Sequence, residues 1–320
     1  MPSAVSLFSG LGGFDLGAHR LGVDIRYAVD IDKYASLAYR DVVSDDIEFH
    51  TTDVRKIESF PRADLLFGCY PCTGFSQASR RRWRGRDRDL TANPVNYLFR
   101  EVLRVAKVVD PVAIFIENVR GIQSACGGTF LNEQMEGLKS IGYTKILSTL
   151  VHSEMHGLAQ TRRRLFVVAM KPEVADSYNG GFMNATHGTE QNPIRTLRDV
   201  IGGMSPWPTG EFFEKKFHGH FLTRNRKRSW DEPSYTIVAD ASHVPLHPNG
   251  EAMQKVGKDK WELRGEFNRR LSWRECALIQ DLPEFDNADI PLERRYRLVG
   301  NAVPPLLAQQ ALKPLVDFLK

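Results

Sequence analysis

Residues 5 to 22 read VSLFSGLGGFDLGAHRLG, an apolar run that breaks into a turn holding Gly10, Gly12 and Gly13 and then resumes at helical spacing. A strand that feeds a helix through a turn with few side chains lets backbone amides approach a bound nucleotide. It predicts the first unit of an α/β fold, a Rossmann-like, mainly parallel sheet with helices on both faces. Alone the turn is a weak signal, since many structural turns share it. Asp30 and Asp32 follow at the end of the next apolar run. An acid there can accept hydrogen bonds from ribose hydroxyls, and either residue equally suits a helix N-cap. A phosphate-gripping lysine of the P-loop kind is missing, which favours a nucleoside without a triphosphate.

Working outward, short apolar runs predict strands at Ala4–Phe8, Ile25–Val29, Asp64–Phe67 and Val112–Ile116. Helical spacing recurs through Leu98, Phe99, Val102, Leu103, Ala106 and Val109. Arg164–Met170 reads as a further strand, antiparallel to Tyr143–Val151. From about Asn184 to Glu266 the periodicity fades and Gly, Pro, Asn, His and Trp gather. Regularity returns with a capped helix at Ser272–Gln280 and a helix from Pro304 to Leu319 that Pro314 should kink or shorten. Three segments follow: a large α/β domain at 1–183, a smaller irregular domain at 184–266, and carboxyl-terminal helices at 267–320 that complete the first.

The chain has 320 residues, 42% hydrophobic and 26% charged, enough for a large core. No apolar run approaches membrane-spanning length and no leader pattern opens the chain, so a cytoplasmic monomer is expected. Four cysteines suit reduced thiols; Cys69 and Cys72 form a C-x-x-C, but no second pair supports a metal, and none is expected. The net charge of +4 is mild, yet Arg80, Arg81, Arg82, Arg84, Arg86 and Arg88 crowd one stretch around Trp83. Such a run is often a solvated face; guanidinium groups on an aromatic-bearing loop also suit phosphate oxygens.

The sharper signal is GCYPCTGFSQ, residues 68–77, directly after a predicted strand. Pro71, Cys72, Phe75 and Ser76 match the nucleophile motif of the cytosine-C5 DNA methyltransferase family, which the chain resembles. ENV at Glu117–Val119, QTRRR from Gln160, RRLSWRECALIQDLP from Arg269 and GNAVPP from Gly300 match further family motifs in family order. Only 184–266 is left unmatched.

The chemistry explains the company these residues keep. Carbon 5 of cytosine is a poor nucleophile, and a thiolate added at carbon 6 converts the ring to an enamine. The resemblance implies that Cys72 supplies the sulfur, Glu117 engages ring nitrogen 3 and the exocyclic amine, and Arg164 holds the base carbonyl. Arg162 would steady a loop or a nearby phosphate. For the donor, S-adenosylmethionine, with S-adenosylhomocysteine as product, the resemblance assigns Phe8, Gly10, Leu11, Gly12 and Gly13 to the methionine side and Asp30 to the ribose. Ile31 would take an adenine face and Asp53 the exocyclic amine, while Val54, Pro71, Leu98, Asn301 and Val303 complete the pocket. The carboxyl end must therefore fold back onto the first domain.

Carbon 6 is shielded in a stacked duplex, so the nucleotide must be flipped out. Ser76 and the arginine loop would then meet DNA, joined by Arg224, Arg226, Lys227, Arg228 and Thr236 of the recognition region. The expected partner is duplex DNA, with a cognate restriction endonuclease or another defence protein alongside. Thr73 replaces the family's usual glutamine, Cys69 and Tyr70 replace its usual small residue and Pro or Phe, and Asp30 its usual glutamate. The rival readings are a tRNA cytosine-5 methyltransferase of the same family, a DNA-binding module without activity, and an altered donor or base choice.

Overall fold

The computed structural model describes residues 1–71, Phe75 and 90–320. Cys72, Thr73, Ser76, Arg80, Arg81, Arg82, Arg84, Arg86 and Arg88 thus lie outside the described residues.

Strands β1 (Ser3–Leu7), β2 (Asp24–Asp30), β3 (Phe49–Thr51), β4 (Leu65–Gly68) and β5 (Ala113–Val119) pair in parallel in the order β3-β2-β1-β4-β5. Then come β6 (Lys145–His152), β7 (Gln160–Thr161) and β8 (Arg163–Met170), with β8 lying between β5 and β6 and antiparallel to both. The expected strands are all present, and β3 is an addition that three half-exposed residues did not announce.

The alternation of side chains along these strands builds two cores. Ala4, Leu65, Phe67, Ala113 and Phe115 face α1 (Gly13–His19) and the carboxyl-terminal helix. Val5, Leu7, Leu66, Ile114 and Ile116 face the other way, against α3 (Phe99–Val109) and α4 (Thr129–Ser140). The intervening α2 (Lys33–Val42) packs instead into a third core. A short α5 (Pro172–Ala175) follows β8.

Beyond residue 184 the chain forms α6 (Leu197–Ile201), β9 (Ser234–Tyr235) and a hairpin of β10 (Gln254–Gly257) and β11 (Lys260–Glu262). It continues into α7 (Trp273–Ile279), α8 (Leu292–Asn301) and α9 (Pro305–Leu319). Leu197, Ile201, Ile237 and Val244 of the irregular region share their core with Trp273, Ile279 and Tyr296 of these helices and with Leu11 and Ala38. Ser272 caps α7 in a reciprocal box with Glu275, which also takes both ends of the Arg269 guanidinium at 2.7 Å.

Pro314 does not shorten α9, which continues to Leu319. Ala311, Leu312, Leu315 and Val316 are buried around it, and their packing holds the helix past the missing amide. The close approach of α9 to α1 depends on small residues. A side-chain carbon at Gly17 would stand 2.5 Å from the Pro305 carbonyl oxygen and 2.7 Å from Ala308 Cβ.

Alanine in a helix normally stabilises relative to glycine by about 1 kcal/mol. Gly17→Ala is nevertheless expected to lose about 1 to 3 kcal/mol in urea unfolding, the usual result of overpacking. A gain in stability would show that the two helices are not in contact here.

Candidate active site

In a parallel sheet, ligands gather outside the carboxyl ends of the strands where the direction of winding reverses. Here that point lies between β1 and β4, and the turn after β1, tied to the end of β2, carries several of the expected donor residues there. The turn after β1 carries Phe8 and Gly10–Gly13. Phe8 sits at a φ of 57°, a left-handed conformation rare for an aromatic residue, and Gly10 and Gly12 are left-handed too. Gly13 packs against the Val303 carbonyl, so a side chain there would collide with backbone. This contact joins the two ends of the chain, as expected. Leu11 points into the third core, leaving its backbone on the turn.

The two candidate acids after β2 have separate employment. Asp32 is the N-cap of α2, accepting the Tyr34 amide at 3.0 Å. Asp30 accepts the amides of Gly10 and Asp32, both at 2.9 Å, and so ties the glycine turn to the end of β2. Burial pushes its carboxyl pKa up, against the pull of these amides. Between them Ile31 is 69% exposed, an apolar side chain held out beside the turn. An exposed aliphatic face, a buried acid and a turn with few side chains match an adenosine carrying a hydrophobic flank, so the residues present fit S-adenosylmethionine.

Asp53 is less free. It caps a 3-10 turn and receives Arg55 on both oxygens, at 3.0 Å from Nε and 2.5 Å from Nη2, and this partner holds its pKa down. Val54 is buried, its carbonyl accepting Arg104 Nη2 at 2.9 Å. Pro71 and Asn301 are exposed and Leu98 is half-buried.

Glu117 lies near the carboxyl end of β5, and because β8 runs antiparallel, the start of β8 reaches the same place. Val119 pairs with Arg164 and Glu117 with Phe166, so Glu117 and Arg164 are diagonal neighbours on one face. Arg164 Nε stands 2.9 Å from Glu117 Oε1, and both side chains are largely buried. Burial raises the Glu117 pKa while Arg164 and then Arg162 oppose it. Burial, with Glu117 nearby, also pushes up the Cys69 thiol at the end of β4.

Arg162, expected to steady a loop or a nearby phosphate, is tied to neighbouring segments of the chain. It is buried, donating to Gln280 Oε1 and the Ala302 carbonyl at 2.9 Å, and to the carbonyls of Gly300 and Ile237 at 3.3 and 3.4 Å. The recognition region is stitched to the same segment: β9 pairs with β7, Thr236 Oγ1 donates to the Thr161 carbonyl at 2.7 Å, and Gln160 Oε1 accepts the Ile237 amide.

Two expected DNA contacts need correction. Lys227 is buried, with Nζ on the carbonyls of Asn249, Glu251 and Phe267, and burial lowers its pKa to about 8. Arg226 is also buried, donating to the carbonyls of Phe221 and His243. Basic residues in an irregular segment have to supply donors for its unpaired carbonyls, and these two do so. Arg224 is exposed, whereas Arg228 is half-buried and pairs with Glu232 at 2.6 Å.

A buried network beneath the glycine turn escaped the sequence reading. Asp15 accepts Ser6 Oγ at 2.7 Å and Tyr39 OH at 2.8 Å, while Ser9 Oγ reaches Ser6 Oγ at 2.9 Å. The available signal was an acid among Gly13, Gly17 and Ala18 on a helix that must bury that face. Burial raises its pKa to about 6, outweighing both hydrogen bonds.

The family model described as C-5 cytosine-specific DNA methylase matches residues 3–317. The chain is 32% identical over 358 aligned residues to the Type II methyltransferase M.BsuRI of Bacillus subtilis, covering 99% of this chain and 79% of that protein. It is 30% identical to M.FnuDI of Fusobacterium nucleatum, covering 98% and 94%. Among solved structures, the Dnmt2 methyltransferase of S. pombe superposes with a TM-score of 0.68 at 17% identity, covering 98% of this chain and 99% of that one. The Entamoeba histolytica methyltransferase EhMeth gives 0.68 at 16%, covering 100% and 99%. These two likenesses are of fold: the sheet and its helices are those of a Rossmann-like methyltransferase. The match over nearly the whole length decides the rest, and the chain belongs to the C-5 cytosine-specific DNA methylase family.

A carboxyl whose folded pKa is raised favours folding most where it is protonated in both states. The contribution of Asp15 is therefore full below about pH 4 and lost as pH rises to about 6. Asp15→Asn removes that titration, so stability of the variant relative to the parent should climb by about 3 kcal/mol across this window and then level off. Thermal or urea unfolding at half-unit steps from pH 4 to 7 measures it; a pH-independent difference would remove Asp15 from the titrating groups.

Proposed function

We propose that the protein is a DNA (cytosine-5-)-methyltransferase that carries a methyl group from S-adenosylmethionine to one cytosine within a target sequence in duplex DNA. The observation that carries this reading is the buried Glu117–Arg164 pair near the carboxyl end of β5, next to the strand that leads to Pro71.

In this mechanism the Cys72 thiolate forms a bond to carbon 6 of a flipped cytosine. Glu117 supplies a proton or a hydrogen bond at nitrogen 3 as negative charge builds on the ring, a task that a raised pKa favours. Arg164, its plane fixed by Glu117, directs its guanidinium to the base carbonyl. S-adenosylmethionine, when bound, would supply the electrophilic methyl for carbon 5 and leave as S-adenosylhomocysteine. Loss of the carbon 5 proton to a base then expels the Cys72 sulfur and restores the ring. Phe8, Gly10, Gly12, Gly13 and the Leu11 backbone hold the methionine side, Asp30 the ribose and Ile31 the adenine. Asp53, Val54, Pro71, Leu98, Asn301 and Val303 close the pocket. Ser76, the arginines from Arg80 to Arg88, Arg224, Arg228 and Thr236 are assigned to the DNA side. The relatives' names, Type II methyltransferases, support a restriction-modification setting with a cognate endonuclease.

A duplex with 5-fluorocytosine at the target should trap the enzyme, because fluorine cannot leave as a proton does. The parent protein is expected to give a denaturation-resistant adduct in the presence of donor, and Cys72→Ser none. An undiminished adduct in the variant would sink the assignment of Cys72.

The division of labour between the two acids gives a further expectation. Asp30→Ala should weaken donor binding by about 1.5 to 3 kcal/mol, the worth of charged hydrogen bonds. Asp32→Ala should cost about 1 kcal/mol of stability through the lost cap, with donor affinity unchanged. Calorimetric titration of both variants checks this, and equal affinities would return Asp30 to a purely structural role.

A further inference from the structure

The β10–β11 hairpin stands out from the irregular region as a ribbon exposed along nearly its whole length. Lys255 pairs across it with Trp261 and Gly257 with Lys260, with Lys258 and a left-handed Asp259 at the tip. Trp261 and Leu263 turn inward onto Phe221, Leu246 and Met253, so the ribbon is anchored at its base by a small core of its own. Lys255, Lys258 and Lys260 are exposed, and among the described residues none of them forms an ion pair; Glu262 is near Arg264 instead, at 3.6 Å. The ribbon leaves the part of the chain that β9 fastens beside Arg162 and Arg164, so it rides on the unit attached to the candidate site.

Lysines on an exposed edge also guard against strand addition between molecules. That role requires one or two charges on the open edges, whereas here cations occupy both strands and the tip. A two-stranded ribbon has the cross-section of a DNA groove, and unpaired ammonium groups on a stem anchored by an aromatic residue suit a phosphate backbone.

Resting on the function proposed above, we propose that the β10–β11 ribbon is a duplex-DNA contact whose Lys255, Lys258 and Lys260 meet backbone phosphates of the substrate. Phosphate contacts position without specifying, so the ribbon contributes grip and not choice of sequence.

The test changes Lys255, Lys258 and Lys260 together to Gln in the full chain and measures duplex binding over a range of salt. A second variant removes the same charge elsewhere, at Lys139, Lys171 and Lys313, which are paired with Glu136, Asp110 and Asp317. Each ammonium withdrawn from a phosphate should flatten the plot of log affinity against log salt by about 0.9, so nearly three units are expected for the ribbon variant and none for the other. Site preference and the rate at saturating DNA should match the parent. An unchanged slope, or an equal change in both variants, overturns the ribbon assignment while a steep parental slope leaves the substrate reading standing. A parent that binds tRNA steeply and duplex DNA not at all overturns both.

Discussion

A guanidinium that water cannot reach has to find its acceptors within the protein, and where it finds them decides which segments stay together. Arg162 takes carbonyls from Ile237 in the irregular region and from Gly300 and Ala302 in the closing motif, and the amide oxygen of Gln280 after α7. Gln280 in turn donates to the Val299 carbonyl. One side chain thus gathers three stretches that are far apart in sequence onto the segment just before β8. Removing it would strand several buried carbonyls at once, and the residue two positions on is Arg164. The site is built where this clamp closes.

The glycine turn depends on the opposite device, the absence of side chains. Gly13 and Gly17 let backbone from Val303 and Pro305 approach α1, bringing the carboxyl end over the turn that begins the chain. Gly10 and Gly12 provide left-handed turns, while Asp30 ties the Gly10 amide to the end of β2. Close packing on one side and hydrogen bonds on the other fix the turn before any ligand arrives, which lowers the ordering cost of binding.

Strand positions were legible because buried parallel strands are short apolar runs with turn residues between them, and α3 and α7 because their apolar spacing and capping box are local signals. Charge was harder to place. The composition of residues 224–228 cannot tell a lysine facing solvent from one satisfying three carbonyls, and Lys227 does the latter. Asp30 and Asp32 look alike in sequence and differ only in whether the amides they accept belong to the glycine turn or to the first turn of α2. Pro314 misled on length for the same reason: local propensity allows a shortened helix, and buried neighbours carry α9 on to Leu319. The hairpin lysines were passed over because a short stretch of mixed polarity carries no clear period.

Two buried carboxyls, Asp15 beneath the glycine turn and Glu117 near the end of β5, have contrasting surroundings. Asp15 is met by hydroxyls alone, from Ser6 and Tyr39, groups that can turn to donate or accept and so tolerate either protonation state. It can gain or lose a proton without leaving a neighbour unsatisfied, which suits a support. Glu117 faces a fixed cation, Arg164, and a second, Arg162, farther off. Burial raises the pKa of this carboxyl and the guanidinium opposes it, burial being the larger cause, and in the proposed mechanism a raised carboxyl is the better proton donor to a ring nitrogen acquiring negative charge. The register of β5 and β8 is what makes Glu117 and Arg164 diagonal neighbours. A slip of one residue would turn one of them to the other face of the sheet and leave a lone charge buried.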